Sequence, residues 1–548
     1  MKVLGIFQKW REQRRQEAQQ RASLKDLKER VNSLESALST AQSAYAAKRY
    51  PDALAAYEQA AQMGNAAAQY SCGLMYYKGL GTYVNRTAAL QWFQRAAQQG
   101  SADAQFYCGM MHYEGDGIPV DERQSLACFE RAALQNHVRA MYWCGVLYDR
   151  GETVQNKAKA IDWYQQAGEQ GMVEAQMRCA VMYDTGDGVL QNRIKALHWY
   201  EEAAALENVD AQYRCGKLYS DGDGVPQDEQ MGLYWLEAAA GQGHADAQFQ
   251  CATMYYFGLG TKKDLSSALQ WYEKAAEQGG AEAQFACGVM YYGGEGAEQN
   301  SAIALSWFEK ASRQDHTGAL YNCGMLCEEG DGTAVNLKKA LLYYEQAADQ
   351  GSAEAQYKAG MLHHDGRGTP VNYRESLFRF KQAAEQDYPP AQYMLGMAYD
   401  RGQGTRINKP DALQWYTIAA GKGVAEAQCR CGTMYYNGDG TAVDYEKALE
   451  WMERAAKAGN PEGQCMCGMM YLSGQGRPVN RKRGAFWLEK SAEQDYPEGQ
   501  YRYGMLFALG QGVEPSSEKA FYWLRRAASN GSTRARRALD ALKTVEDQ

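Results

Sequence analysis

The chain has 548 residues, 45% of them hydrophobic and 23% charged, which excludes a wholly disordered polymer. No run approaches the ~18 consecutive apolar residues of a membrane-crossing helix. Residues 1–30 hold nine Lys or Arg against four Asp or Glu, so this end carries +5 and the remaining 49 bases and 62 acids leave −13 elsewhere.

In chain order, the apolar run Val3 to Phe7 is shorter than the ~7–15 residues of a secretory core, and polar Gln8 and Lys9 follow it. A cytoplasmic location is expected, with a peripheral position at the inner membrane face as the alternative. Residues 1–40 are expected to form a basic amphipathic helix. Val3, Ile6, Trp10, Leu24, Leu27, Val31, Leu34 and Leu38 fall on a and d heptad positions, interrupted by Gln13, Glu17 and Gln20. Three readings stay open for this segment. The first is a dimer or partner-helix contact through Leu24, Leu27, Val31 and Leu34, as a short coiled coil. The second is a foot on an anionic membrane using Ile6, Phe7, Trp10, Arg14 and Arg15. In the third, the helix folds back on the body of the protein.

From Asn65 to Gly531 the chain repeats itself thirteen times. Cys72, Cys108, Cys144, Cys179, Cys215, Cys251, Cys287, Cys323, Cys431 and Cys467 recur at 36 residues or multiples of it, with one step of 35. Ala359, Leu395 and Tyr503 complete that column. A second column, twenty residues on, holds ten of the twelve tryptophans, Trp92 and Trp415 among them. Each copy reads as two helices separated by a glycine loop such as Lys78-Gly79-Leu80-Gly81. The second helix follows a residue that is Asn, Asp or Ser in every copy, from Asn85 and Asp121 to Asn480 and Ser516. These are expected N-caps, each contributing ~1 kcal/mol. The missing residue falls in the third loop, near Gly151 and Glu152, and is expected to spare both helices.

Ala211-Gln212-Tyr213, Gly222-Asp223-Gly224-Val225 and Trp199-Tyr200-Glu201-Glu202-Ala203-Ala204 resemble the Sel-one-like repeat, a relative of the tetratricopeptide repeat. The resemblance covers roughly residues 36–548. It implies an all-α, right-handed solenoid of about thirteen helix pairs of 36 residues, binding other proteins as scaffold or adaptor, with a bacterial origin. Within it, 41–64 look like a tetratricopeptide-like opening pair, 65–531 are the repeats, and 532–548 form a capping helix with Arg534, Arg536 and Arg537 outward.

One helix pair buries too little apolar surface to stand alone, so stacking on neighbours carries stability. The small column-one residues are expected to let helices approach, and the Trp and Tyr of column two to supply large buried surface. The cysteines read as small buried hydrophobes, since equivalent positions in stacked repeats lie ~8–10 Å apart, beyond the ~7 Å limit of a disulfide. No metal or other cofactor is expected. His363 and His364 adjoin without further ligands, and the Gly-x-Gly loops lead into no Gly-Lys-Ser/Thr. Ser516 and Lys519 have an acylating-enzyme spacing without its companion motifs. A hydrolase like that of cysteine-rich Sel-one-like proteins is the enzymatic alternative. The acidic solenoid argues against nucleic acid.

Residues that do not repeat form a stripe on the first helices. One before the cysteine column stand Tyr107, Trp143, Arg178, Arg214, Lys358, Met394, Arg430, Met466 and Arg502; two after it stand Met110, Met325, Met361, Met397, Met469 and Met505. Five before it, acids such as Asp103, Glu354 and Glu498 dominate. These columns are expected to line a concave partner-binding groove with a Met and aromatic floor. The competing reading makes the Met column packing between repeats and the charged columns solvated faces.

Overall fold

The computed structural model describes residues 2–546, with side chains described over 10–541. Every regular element among them is an α-helix, 29 in all. They divide into two compact units, Met1–Asp264 and Leu265–Gln548, and the boundary falls between the two helices of the sixth repeat. Within each unit, helix follows helix in antiparallel hairpins, each packed on the next.

The chain opens with a single helix α1 (Lys2–Ala46), followed by α2 (Tyr50–Gln62). Ala37, Ala41 and Ala44 are buried, and Ala37 and Ala44 share a core cluster with Ala53 and Leu54 of α2. The end of α1 therefore serves as the first member of the opening pair, and no break separates it from the preceding segment at residue 40. Upstream, Trp10, Leu24, Leu27 and Val31 are exposed, while Leu34 is half-buried. A helix folded back on the body is thus ruled out over 10–33, because that stretch stays exposed throughout. The side chains of Ile6 and Phe7 lie outside the described residues.

A repeat is built from a first helix such as Ala66–Lys78 and a second such as Arg86–Gln98. The expected caps form: Asn85 accepts from the Ala88 amide at 3.0 Å, and Ser516 accepts from Lys519 at 3.3 Å. The loop glycines have separate duties. Gly79, at φ 71°, closes the first helix in the left-handed region; a Cβ on Gly81 would lie 2.5 Å from the Tyr50 carbonyl. The third repeat lacks that second glycine. There the Glu122 carboxylate accepts from the amides of Glu152 and Thr153, at 3.0 and 2.8 Å, and fastens the shortened loop. Burial opposes ionisation of Glu122, yet these bonds hold it below the ordinary carboxylate range. Both helices of that repeat stay intact, Val138–Arg150 and Lys157–Gly168.

The hairpin contact differs from the expected one in a single residue. The fully buried large side chain of the second helix is the one after the tryptophan column: Phe93, Phe129, Tyr164, Phe308, Tyr344, Phe380 and Tyr416 are at most 1% exposed. Most tryptophans are only half-buried, and Lys274 and Lys310 sit over the rings of Trp271 and Trp307 at 3.8 and 3.5 Å. The buried ring lies on the glycine that follows the cysteine. A Cβ on Gly73, Gly109, Gly145 or Gly288 would come within 2.5–2.6 Å of it.

A buried glutamine joins successive hairpins. Gln69 donates to the Ala61 carbonyl at 3.1 Å and accepts from Gln99 at 2.7 Å. Gln356 repeats this with Ala348 and Gln386, and Gln464 with Ala456 and Gln494. The final carbonyls of one helix pair are thereby satisfied by the next.

All fourteen cysteines are free, and all but Cys128 are buried. Burial pushes the Cys72, Cys251, Cys323 and Cys467 thiols up to about 12 from an ordinary 9.0. Between those values the unfolded chain releases protons that the folded chain keeps, so stability falls as pH rises. Two measurements check this core. Iodoacetamide at pH 8 should leave the column cysteines unmodified in the folded chain and label all of them in denaturant, and the melting temperature should fall progressively above pH 9; rapid native labelling would contradict the burial. Tyr416→Ala should cost about 3–5 kcal/mol and lower the guanidinium midpoint more than Trp415→Ala does, despite the larger indole. Equal midpoints would contradict the assignment.

Candidate functional site

The variable stripe of the first helices meets a second variable column, five residues after the cysteine position in the preceding repeat. At four junctions the two columns match each other in chemistry. Tyr107 packs on Tyr77 with centroids 5.9 Å apart and stacks on Phe93 at 5.0 Å. Trp143 meets Tyr113 at 4.9 Å. Arg178 pairs with Asp149, which is 3% exposed and also faces Arg150 and Lys157. Lys358 reaches Glu328 at 3.1 Å. Burial opposes ionisation of Glu328, but Lys358, Tyr344 and Arg367 hold it below the usual carboxylate range.

Much of the stripe's variation is therefore complementarity between adjacent repeats. Tyr107, Trp143, Arg178 and Lys358 are engaged within the protein. Met394 is 6% exposed and belongs to a core cluster, so it does not line an open surface. Met110, Met325, Met361 and Met397 are half-buried and pack against core clusters that run between adjoining repeats. Arg214 is exposed and Arg430 half-buried.

Among the described residues no such pair forms in repeats 11–13. Tyr436 is followed by Met466, and Leu472 by Arg502, and a depression of about 510 Å³ opens there. Met466, Met469, Arg502 and Met505 line it together with Tyr436, Leu472, Tyr501 and Leu509. Four of the stripe residues thus share one cavity. Their placement follows from the helices Pro461–Ser473 and Pro497–Leu509, on which positions three apart, such as 466 and 469 or 502 and 505, face the same way. Gln475 and Gln511 reach it from two loops. Tyr436 Oη donates to Gln475 Oε1 at 3.1 Å, as does Ser473 Oγ at 2.9 Å. Arg502 Nε donates to Glu498 at 2.8 Å, and Glu498 also accepts from Arg534 at 3.1 Å.

Three histidines have a role the sequence pattern concealed. His137, His244 and His316 cap first helices, their Nδ1 atoms accepting the amides of Ala140, Ala247 and Ala319 at 3.1–3.2 Å. His363 replaces a tyrosine and bonds Glu345 at 2.9 Å, just as Tyr291 donates to Glu273 at 2.6 Å. Among the described residues no group of His, Cys, Asp and Glu could hold a metal ion, and no helix is long and apolar enough to cross a membrane.

A Sel1 repeat model matches thirteen consecutive segments, from 66–101 to 497–532. Among solved structures the chain is similar to a protective antigen of uropathogenic Escherichia coli, described as displaying an SLR fold. The two are 29% identical with a TM-score of 0.63, over 83% of this chain and 97% of that one. A Sel1 repeat protein from Oxalobacter formigenes is 30% identical with a TM-score of 0.48, over 57% of this chain and 90% of that one. No curated protein sequence matches significantly. The thirteen repeats, each a helix pair, make the chain a member of the Sel1 repeat family, all-α solenoids that generally serve as protein-interaction scaffolds.

Proposed function

We propose that the chain is a non-catalytic scaffold that captures a protein partner on the first helices of repeats 11–13. The observation that carries this is the convergence of Met466, Met469, Arg502 and Met505 on one depression. Tyr107, Trp143, Arg178 and Lys358 of the same columns are instead engaged by the preceding repeat. Methionine floors adapt to differently shaped apolar side chains, which suits recognition of a peptide or helix. Fourteen unpaired thiols support a reducing, cytoplasmic setting.

α1 offers a second contact. Trp10, Leu24, Leu27 and Val31 stand exposed along a basic helix, with the Arg14 guanidinium 4.5 Å from the Trp10 ring. This favours a partner helix, a second copy of the chain or an anionic membrane surface over a purely structural role for residues 10–33.

Met469→Glu with Met505→Glu should abolish recovery of cross-linked partners from cell extract while circular dichroism and melting stay close to wild type. Met397→Glu with Arg430→Glu, outside the depression, should reduce recovery less. Unchanged recovery by the first pair would contradict the assignment.

A further inference from the structure

In two earlier repeats the cation one before the cysteine column is answered by an acid from the preceding repeat: Asp149 answers Arg178, and Glu328 answers Lys358. At Arg502 the answering position is Leu472, and the depression opens between them. Arg502 is the only charged residue lining it. Its Nε is taken by Glu498, but that one carboxylate also serves Arg534. Two guanidiniums on one carboxylate leave a net positive charge at the cavity edge. Among the described residues the Nη atoms of Arg502 have no hydrogen-bond partner, and the side chain is 35% exposed.

We infer that the partner supplies the missing acid: a peptide segment whose Asp or Glu side chain pairs with Arg502 while a neighbouring large apolar side chain enters between Met469 and Met505. This rests on the binding surface proposed above and adds its ligand chemistry. A guanidinium with free Nη donors takes a carboxylate in a directed, charge-assisted pair. Gln475, whose Oε1 already accepts from Tyr436 and Ser473, presents its amide donors, and Gln511 from the other flanking loop presents an amide that both donates and accepts. Such groups match a peptide backbone better than the bare chain of a fatty acid, which would share the acid and the apolar part.

Random dodecapeptides displayed on phage and selected on the full chain test this. The expected consensus places Asp or Glu close to a large apolar residue. The synthetic consensus peptide should bind Arg502→Gln and Arg502→Glu roughly tenfold or more weakly, and exchanging the peptide's acid for Lys should restore binding to Arg502→Glu. Peptides lost on Met469→Glu yet indifferent to both Arg502 variants would overturn the acid and leave the surface standing. A selection without any peptide sensitive to Met469→Glu would overturn both. Dodecanoate binding that depends on Arg502, with no peptide binding, would overturn the peptide.

Discussion

In seven of the thirteen repeats a ring of the second helix lies directly on a glycine of the first, in four others Leu or Met does so, and the rest of the fold depends on that approach. With a Cβ at Gly324 only 2.7 Å from the Tyr344 ring, the two helices could not keep their spacing. That spacing places the cysteine and the buried glutamine where the adjoining hairpin needs them. The position tolerates little more than hydrogen: it is Ala180 in the fourth repeat and Ala252 in the sixth, both fully buried. Stability then propagates from neighbour to neighbour, as expected of a quasi-one-dimensional array.

Periodicity made the fold legible. A column recurring every 36 residues fixes which residues share an environment, and the caps Asn85 to Ser516 fix where second helices start. Periodicity could not say which of two adjacent bulky residues faces inward, and Trp415 draws the eye although Tyr416 is the buried one. It also hid the capping histidines, since His137 and Ser101 look unrelated until both are seen accepting an amide at a helix start.

The candidate site was legible only in part, for a physical reason. Non-repeating residues in a repeat column point to a ligand, but a side chain also varies when its structural partner varies with it. Asp149 with Arg178, and Tyr113 with Trp143, are such pairs, 29 and 30 residues apart. That signal lies in the sequence once the two columns are set side by side. What then marks a site is the place where the match breaks, as at Leu472 and Arg502. A broken match that also opens a depression is thus informative about binding.

Hydrogen exchange of Gly324→Val, followed by mass spectrometry, tests the ring-on-glycine claim most directly. If that contact sets the hairpin spacing, protection should fall most in Thr317–Glu329 and Leu337–Asp349, less in the adjoining repeats, and little around Pro461–Ser473. Unchanged protection in the Gly324 hairpin, or an equal loss throughout 265–548, would contradict the account.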